Sequence, residues 1–172
     1  MKKVYSIIMM LAMVVAALSF TACSSDDDKE LGNGSNSGGK LLVGKWIPYT
    51  WDDDDYSFLE DVGWLQLNSN KTFTIYAYDK TKMFKGNWEY AETSNPDENK
   101  TLKLSIDGLG DFWYNSLPNT PKKEIDDYLI GGTLYFIIED IHSNYMRTIR
   151  FLFIYPNGQT ERMTTRIEWR RE

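Results

Sequence analysis

Cysteine and histidine occur once each in this chain, and the two scarcities remove most catalytic and metal chemistry. One cysteine, Cys23, cannot close an intramolecular disulfide, and it cannot build a multi-cysteine zinc site. One histidine, His142, gives a Ser-His-Asp triad or a multi-histidine metal site little to build on; it falls in a predicted turn and is expected to be an exposed turn residue. Positive charge is also short. The 172 residues hold 19 Lys and Arg against 25 Asp and Glu, a formal net charge of −6. An acidic chain is a poor partner for nucleic acid, where affinity comes from neutralising phosphates, and for anionic lipid heads.

Long apolar runs are missing as well, except for one from Ile7 to Ala17. It follows Lys2 and Lys3 and leads through small residues to Ala22 and Cys23. That is the order of a signal peptide: charged region, apolar region, cleavage site. As a helix the run spans roughly 16 Å, about half of the ~30 Å hydrocarbon core, so it is expected to be removed rather than to stay as a span. Removal of residues 1–22 takes away two lysines and makes the net charge two units more negative.

The segment ending in Thr21-Ala22-Cys23 resembles a bacterial lipobox. The resemblance implies that the Cys23 thiol carries diacylglycerol and becomes the first residue of the mature protein, with the membrane as partner through the lipid. Two or more acyl chains anchor a protein stably where one does not. Ser24, Ser25, Asp26, Asp27 and Asp28 then look like the export signal of surface-displayed lipoproteins of Bacteroidetes, implying an outer-membrane anchor facing the cell exterior. A plainly solvated acidic tether is the alternative. Up to Lys40 the chain is mostly Gly, Ser and Asn, a flexible-linker composition. The organisation expected is therefore a signal peptide over residues 1–22, a tether over 23–40 and one folded domain over 41–172, long enough for a single core without disulfides.

Within that domain apolar and polar residues alternate. Phe73, Ile75 and Ala77 interleave with threonines and Tyr76; Leu102, Leu104 and Ile106 do so with Thr101, Lys103 and Ser105; Met163, Thr165, Ile167 and Trp169 do so with Arg162, Thr164, Arg166 and Glu168. Period two with one apolar face predicts half-buried antiparallel strands. Weaker runs at 43–49, 64–67, 83–90, 133–140 and 145–155 bring the count to eight. Short turn signals at Asn68-Ser69-Asn70, His142-Ser143-Asn144 and Pro156-Asn157-Gly158 favour an up-and-down meander, which eight strands can close into a barrel; a β-sandwich is the alternative. The long connection from Gly108 to Gly132 is expected to hold one short helix, with Thr120 as cap, Pro121 in its first turn, Ile125, Tyr128 and Leu129 on one face, and Gly131 at its end. Before it, Phe112-Trp113-Tyr114 would either cover a barrel mouth or pin the loop to the core.

Gly44-Lys45-Trp46 opens the first strand, and the chain ends in an arginine-rich strand. Together with the strand count and the leader, this resembles the lipocalin-like lipoproteins common in Bacteroidetes. The resemblance implies that Gly44 and Trp46 close one barrel end and that a late arginine, Arg170 or Arg166, packs across the tryptophan. It also implies a non-catalytic protein that binds a small apolar or amphipathic ligand. Phe73, Ile75, Trp88, Leu104, Phe112, Trp113, Phe151 and Phe153 are the candidate ligand-binding residues, lying on apolar strand faces or beside the mouth. Eight strands enclose an interior that side chains fill or that holds one small ligand, and aromatics this large favour filling. A glycan- or protein-binding module using exposed aromatics such as Trp51, Trp64 and Trp113 is the second reading.

Other motifs weigh little. Gly34 to Lys40 matches the core of a phosphate loop, but Leu41 stands where Ser or Thr is needed and no strand precedes it. Asp52 to Asp55 with Glu60 and Asp61 offer oxygen ligands without the spacing of a calcium loop, and nothing pairs two carboxylates as in a glycosidase. No cofactor, metal or catalytic residue is expected.

Overall fold

The computed structural model describes residues 37–52, 58–92, 100–164 and 166–172. The leader, Cys23, Ser24, Ser25, the Asp26–Asp28 cluster and most of the tether lie outside the described residues, as do Asp53 to Asp55. The strands are β1 (Gly44–Asp52), β2 (Val62–Leu67), β3 (Thr72–Ala77), β4 (Lys82–Glu92), β5 (Lys100–Leu109), β6 (Thr133–Ile141), β7 (Tyr145–Ile154), β8 (Thr160–Met163) and β9 (Arg166–Arg171). Among the described residues there are three short α-helices, α1 (Ser37–Leu42) before β1 and α2 (Asp111–Ser116) and α3 (Lys122–Leu129) between β5 and β6, and a single 3-10 turn (Phe58–Asp61) before β2.

Each strand from β1 to β7 pairs antiparallel with the next, and β9 lies between β7 and β1. The circuit closes into an eight-stranded up-and-down barrel. The ninth strand comes from a break in what the sequence reads as one strand over 162–169. Met163 stands opposite Phe151 and Ile167 opposite Thr148, so the last strand takes four steps where β7 takes three. One extra residue splits it into β8 and β9 along the same edge of β7, which is the spacing of a β-bulge.

Alternation puts the large apolar side chains inside. Trp46, Trp88, Trp169, Phe73, Phe84, Phe136, Phe151, Phe153, Leu65 and Leu67 are all nearly or fully buried. The outward residues of the same strands include Thr72, Thr74, Lys85, Asn87, Glu89, Lys103, Arg147 and Glu168, whose carboxylates and cations pair across strands, as in Lys103–Glu89 at 3.2 Å and Arg147–Glu168 at 3.5 Å. Apolar inside and charged outside is the reverse of a membrane-spanning barrel.

Three hairpins share one turn. In Asn68–Thr72, Ala77–Thr81 and Tyr155–Gln159 the first amide donates to the fifth carbonyl, and the fourth amide donates to the first carbonyl. The fourth residue has positive φ: Lys71 at 67°, Lys80 at 70° and Gly158 at 83°. This is the three-residue loop in which a type I turn is followed by a left-handed residue. The third residue is Asn70, Asp79 or Asn157, and each side-chain oxygen accepts the amide two places on, at 3.2, 2.9 and 2.9 Å. The turn signals at Asn68 and Pro156 are realised in this form. In the turn at His142, the His142 amide donates to the Tyr145 carbonyl at 2.7 Å, and the exposed imidazole lies 3.1 Å from the Asp140 carboxylate.

Two expectations about helices are corrected. The segment after β5 holds two helices rather than one, because Phe112-Trp113-Tyr114 itself forms α2; Gly110 precedes it and Leu117 follows it. In α3, Pro121 rather than Thr120 is the capping residue, while Ile125 and Leu129 are buried as expected and Gly131, at φ 91°, follows the last turn. Helix α1 begins at Ser37, inside the stretch that the sequence reads as linker, and Leu42 is fully buried in the core. Lys40, the last residue of the phosphate-loop look-alike, is exposed on this helix.

Candidate functional site at the barrel mouth

Antiparallel strands place successive connections at alternate ends. The β2–β3 and β6–β7 turns, α1 and the C-terminus gather at one end; the β3–β4 and β7–β8 turns and the α2–α3 segment gather at the other.

The first end is closed. Trp46 is fully buried and its indole N–H donates to the Leu42 carbonyl at 2.6 Å. Trp88 donates to the Asn68 carbonyl at 2.9 Å and Trp169 to the Thr148 hydroxyl at 3.1 Å. Three large side chains thus fill the barrel with every indole N–H satisfied, as burial requires. The arginine over Trp46 is Arg171, its guanidinium carbon 5.9 Å from the ring centroid. The expectation of Arg170 or Arg166 is corrected by parity: Trp169 points inward, so Arg171 shares its face. Arg170 turns outward and lies over Tyr49 at 3.7 Å, and Arg166 reaches Glu139 at 3.9 Å. Gly44 makes room for this arrangement. A Cβ there would stand 2.6 Å from Arg171 Nε, and Gly44 has φ 150°. Arg171 also donates to the Ser143 carbonyl at 3.1 Å.

The second end is not filled in this way. Between α2, α3 and the rim of β4, β7 and β8 runs a half-open groove of about 470 Å³. Phe84, Ile125, Leu129 and Phe153 form its floor, Trp113, Leu117, Tyr128 and Tyr155 its walls, and Thr120, Glu124 and Glu161 its polar points. The aromatic walls are built from touching rings: Phe84–Trp113 at 5.1 Å, Tyr128–Tyr155 at 4.8 Å and Phe153–Tyr155 at 4.2 Å between centroids. Tyr128 and Leu117 are 51% and 43% exposed. The Tyr155 hydroxyl donates to Glu161 at 2.8 Å, and burial, reinforced by that carboxylate, holds its phenol protonated well above the ordinary tyrosine range. Glu161 stands opposite Phe153 in the β7–β8 ladder, so it occupies an interior-facing register at the rim.

Helix α2 is tied down at both flanks. Trp113 packs on Phe84 and meets Phe112 edge-on at 5.3 Å, and the Tyr114 hydroxyl donates to Asp126 of α3 at 2.7 Å. That hydrogen bond, more than burial, raises the Tyr114 pKa. The aromatic triplet pins the segment to the core, and only Trp113 of the three borders the groove.

Of the eight candidate ligand-binding residues, Trp113 and Phe153 line the groove. Phe73, Ile75, Trp88, Leu104 and Phe151 are core side chains at 0–2% exposure, and Phe112 packs against that core. These side chains lie in the barrel core, and the groove lies between the rim and the α2–α3 segment. Tyr128, Tyr155, Leu117, Glu124 and Glu161 were missed; Tyr128 carried a signal, being a large aromatic on an amphipathic helix beside a mouth. Among the described residues no three acidic, histidine or cysteine side chains converge as for a metal. Trp64 is half-buried and stacks on Tyr76 at 4.4 Å on the outer wall; the side chain of Trp51 lies outside the described residues.

No family model, curated protein or solved structure matches this chain.

Proposed function

We propose that this chain is a lipid-anchored, non-catalytic binding protein of lipocalin-like architecture that takes a small apolar or amphipathic molecule in its mouth groove. The groove carries the reading: an apolar, aromatic-walled space of about 470 Å³ with three polar points has the size and lining of a small-molecule site. The Gly44–Trp46–Arg171 arrangement supports the lipocalin likeness, because it gives a physical reason for each residue of the motif. Cys23 supplies the anchor, and Ser24 to Asp28 direct the protein to the outer surface of the outer membrane.

The test uses the Cys23→Ala chain, which has no lipid to compete for the site, titrated with the neutral apolar dye N-phenylnaphthylamine. Saturable dye fluorescence with quenching of tryptophan emission is expected, and it should be lost in Trp113→Ala. No saturable signal would overturn the carrier reading and put the glycan- or protein-binding module in front. In cells, fatty-acid label should mark the native chain and not Cys23→Ala; label on the variant would remove the anchor assignment.

A further inference from the structure

The charges around the groove say which amphiphile it accepts. Glu124 and Glu161 are both among its lining residues, and among the described lining residues there is no lysine or arginine. The two carboxylates come from separate elements, Glu124 from the first turn of α3 and Glu161 from β8, so they flank the opening rather than repeat along one surface. Glu161 is exposed at the rim. Its partner across the ladder is the buried Phe153, which sets the Glu161 side chain on the groove's side of the strand. It is held there by the Tyr155 hydroxyl, which is one face of the aromatic wall. Of the two lysines on α3, Lys122 lies over Tyr114 at 4.6 Å and Lys123 pairs with Asp127.

We propose that the groove selects cationic amphiphiles, an alkylammonium or quaternary ammonium head on an apolar body, and disfavours fatty acids. The proposal rests on the binding reading above. The aromatic faces of Tyr128, Tyr155 and Trp113 attract a weakly hydrated cation through their ring quadrupoles, the two carboxylates add Coulomb attraction at the rim, and the floor takes the chain. A fatty-acid carboxylate brought to the same place meets two like charges and, among the described lining residues, no cation.

The experiment displaces N-phenylnaphthylamine from the Cys23→Ala chain with three ten-carbon amphiphiles: decyltrimethylammonium, decanol and decanoate, at neutral pH and below their micelle concentrations. The cation should displace the dye at a concentration on the order of tenfold below decanoate, with decanol between, and added salt should narrow the gap. The Glu124→Gln, Glu161→Gln double variant keeps an oxygen for the Tyr155 hydroxyl and should bring cation and decanoate to within about twofold. Glu89→Gln with Glu92→Gln removes the same charge from β4 near the closed end and should leave the gap intact. Decanoate equal to or better than the cation overturns the charge selectivity while the binding reading stands. A gap that survives the groove variant, or that closes equally in the β4 variant, overturns the assignment to Glu124 and Glu161. Absence of dye binding in the parent chain overturns both.

Discussion

The two ends of the barrel are built from the same kinds of residue to opposite effect. At the closed end Trp46, Trp88 and Trp169 are buried with each indole N–H bonded, and Arg171 lies across Trp46 in the space left by Gly44. At the mouth Trp113, Tyr128 and Tyr155 stand half in solvent around a groove. Aromatic content alone therefore says nothing of function. What separates packing from binding is whether the polar handle of each ring is satisfied inside the core, and whether its face is covered.

The contrast breaks first at Trp46. Trp46→Ala should destabilise the protein by about 3–5 kcal/mol, the cost of deleting a large buried aromatic, read as a lower urea midpoint. A loss below about 1 kcal/mol would mean that this end is not the structural one. Gly44→Ala comes next. The new methyl group collides with Arg171 and forces an unfavourable φ, so about 1–3 kcal/mol should be lost, and pairing it with Arg171→Ala should recover part of the loss in a double-mutant cycle.

Smaller effects test the hairpin turns. Gly158→Ala should cost about 1–2 kcal/mol because an L-residue is forced left-handed, whereas Lys80→Gly, at the equivalent place, should stabilise by up to about 1 kcal/mol in thermal unfolding. Equal signs for the two would refute the shared turn. Tyr128→Ala should change stability by less than about 0.5 kcal/mol, as for an exposed site, while weakening dye binding several-fold; this is the mouth's counterpart of Trp46.

The faintest effect is in pH. Hydrogen bonds from the Thr81 hydroxyl and amide lower the Asp79 carboxyl below its ordinary value. A depressed folded-state pKa gives stability that is present above the unfolded value and lost as pH falls through the folded one. Asp79→Asn keeps the turn's acceptor, as Asn70 does in its own hairpin, so its melting temperature should lie slightly below that of the native chain above about pH 4. The two should converge in stronger acid.

Much of the barrel was legible because alternation and turn chemistry agree, as at Phe73–Ala77 between the Asn70 and Asp79 turns. The break in the last strand was not, because the apolar-polar pattern runs unbroken through 162–169 and a one-residue slip shows only against β7. Helix α1 was hidden by a Gly/Ser composition that favours coil, and is stabilised by burying Leu42 and by the bond from Trp46 to its carbonyl. Arg171 was within reach: counting two residues from inward-facing Trp169 finds it. The groove was out of reach, since it depends on where α3 settles on β5 and on Glu161 facing Phe153.

Because β9 must pair with β1, from Trp46–Arg171 to Asp52–Arg166, the barrel is a ring whose clasp is made of its first and last strands. The hairpins in between form from neighbours, but the clasp brings together residues more than a hundred positions apart and forms late. Until the final dozen residues are available, β1 and β7 present open backbone edges that invite pairing with other chains.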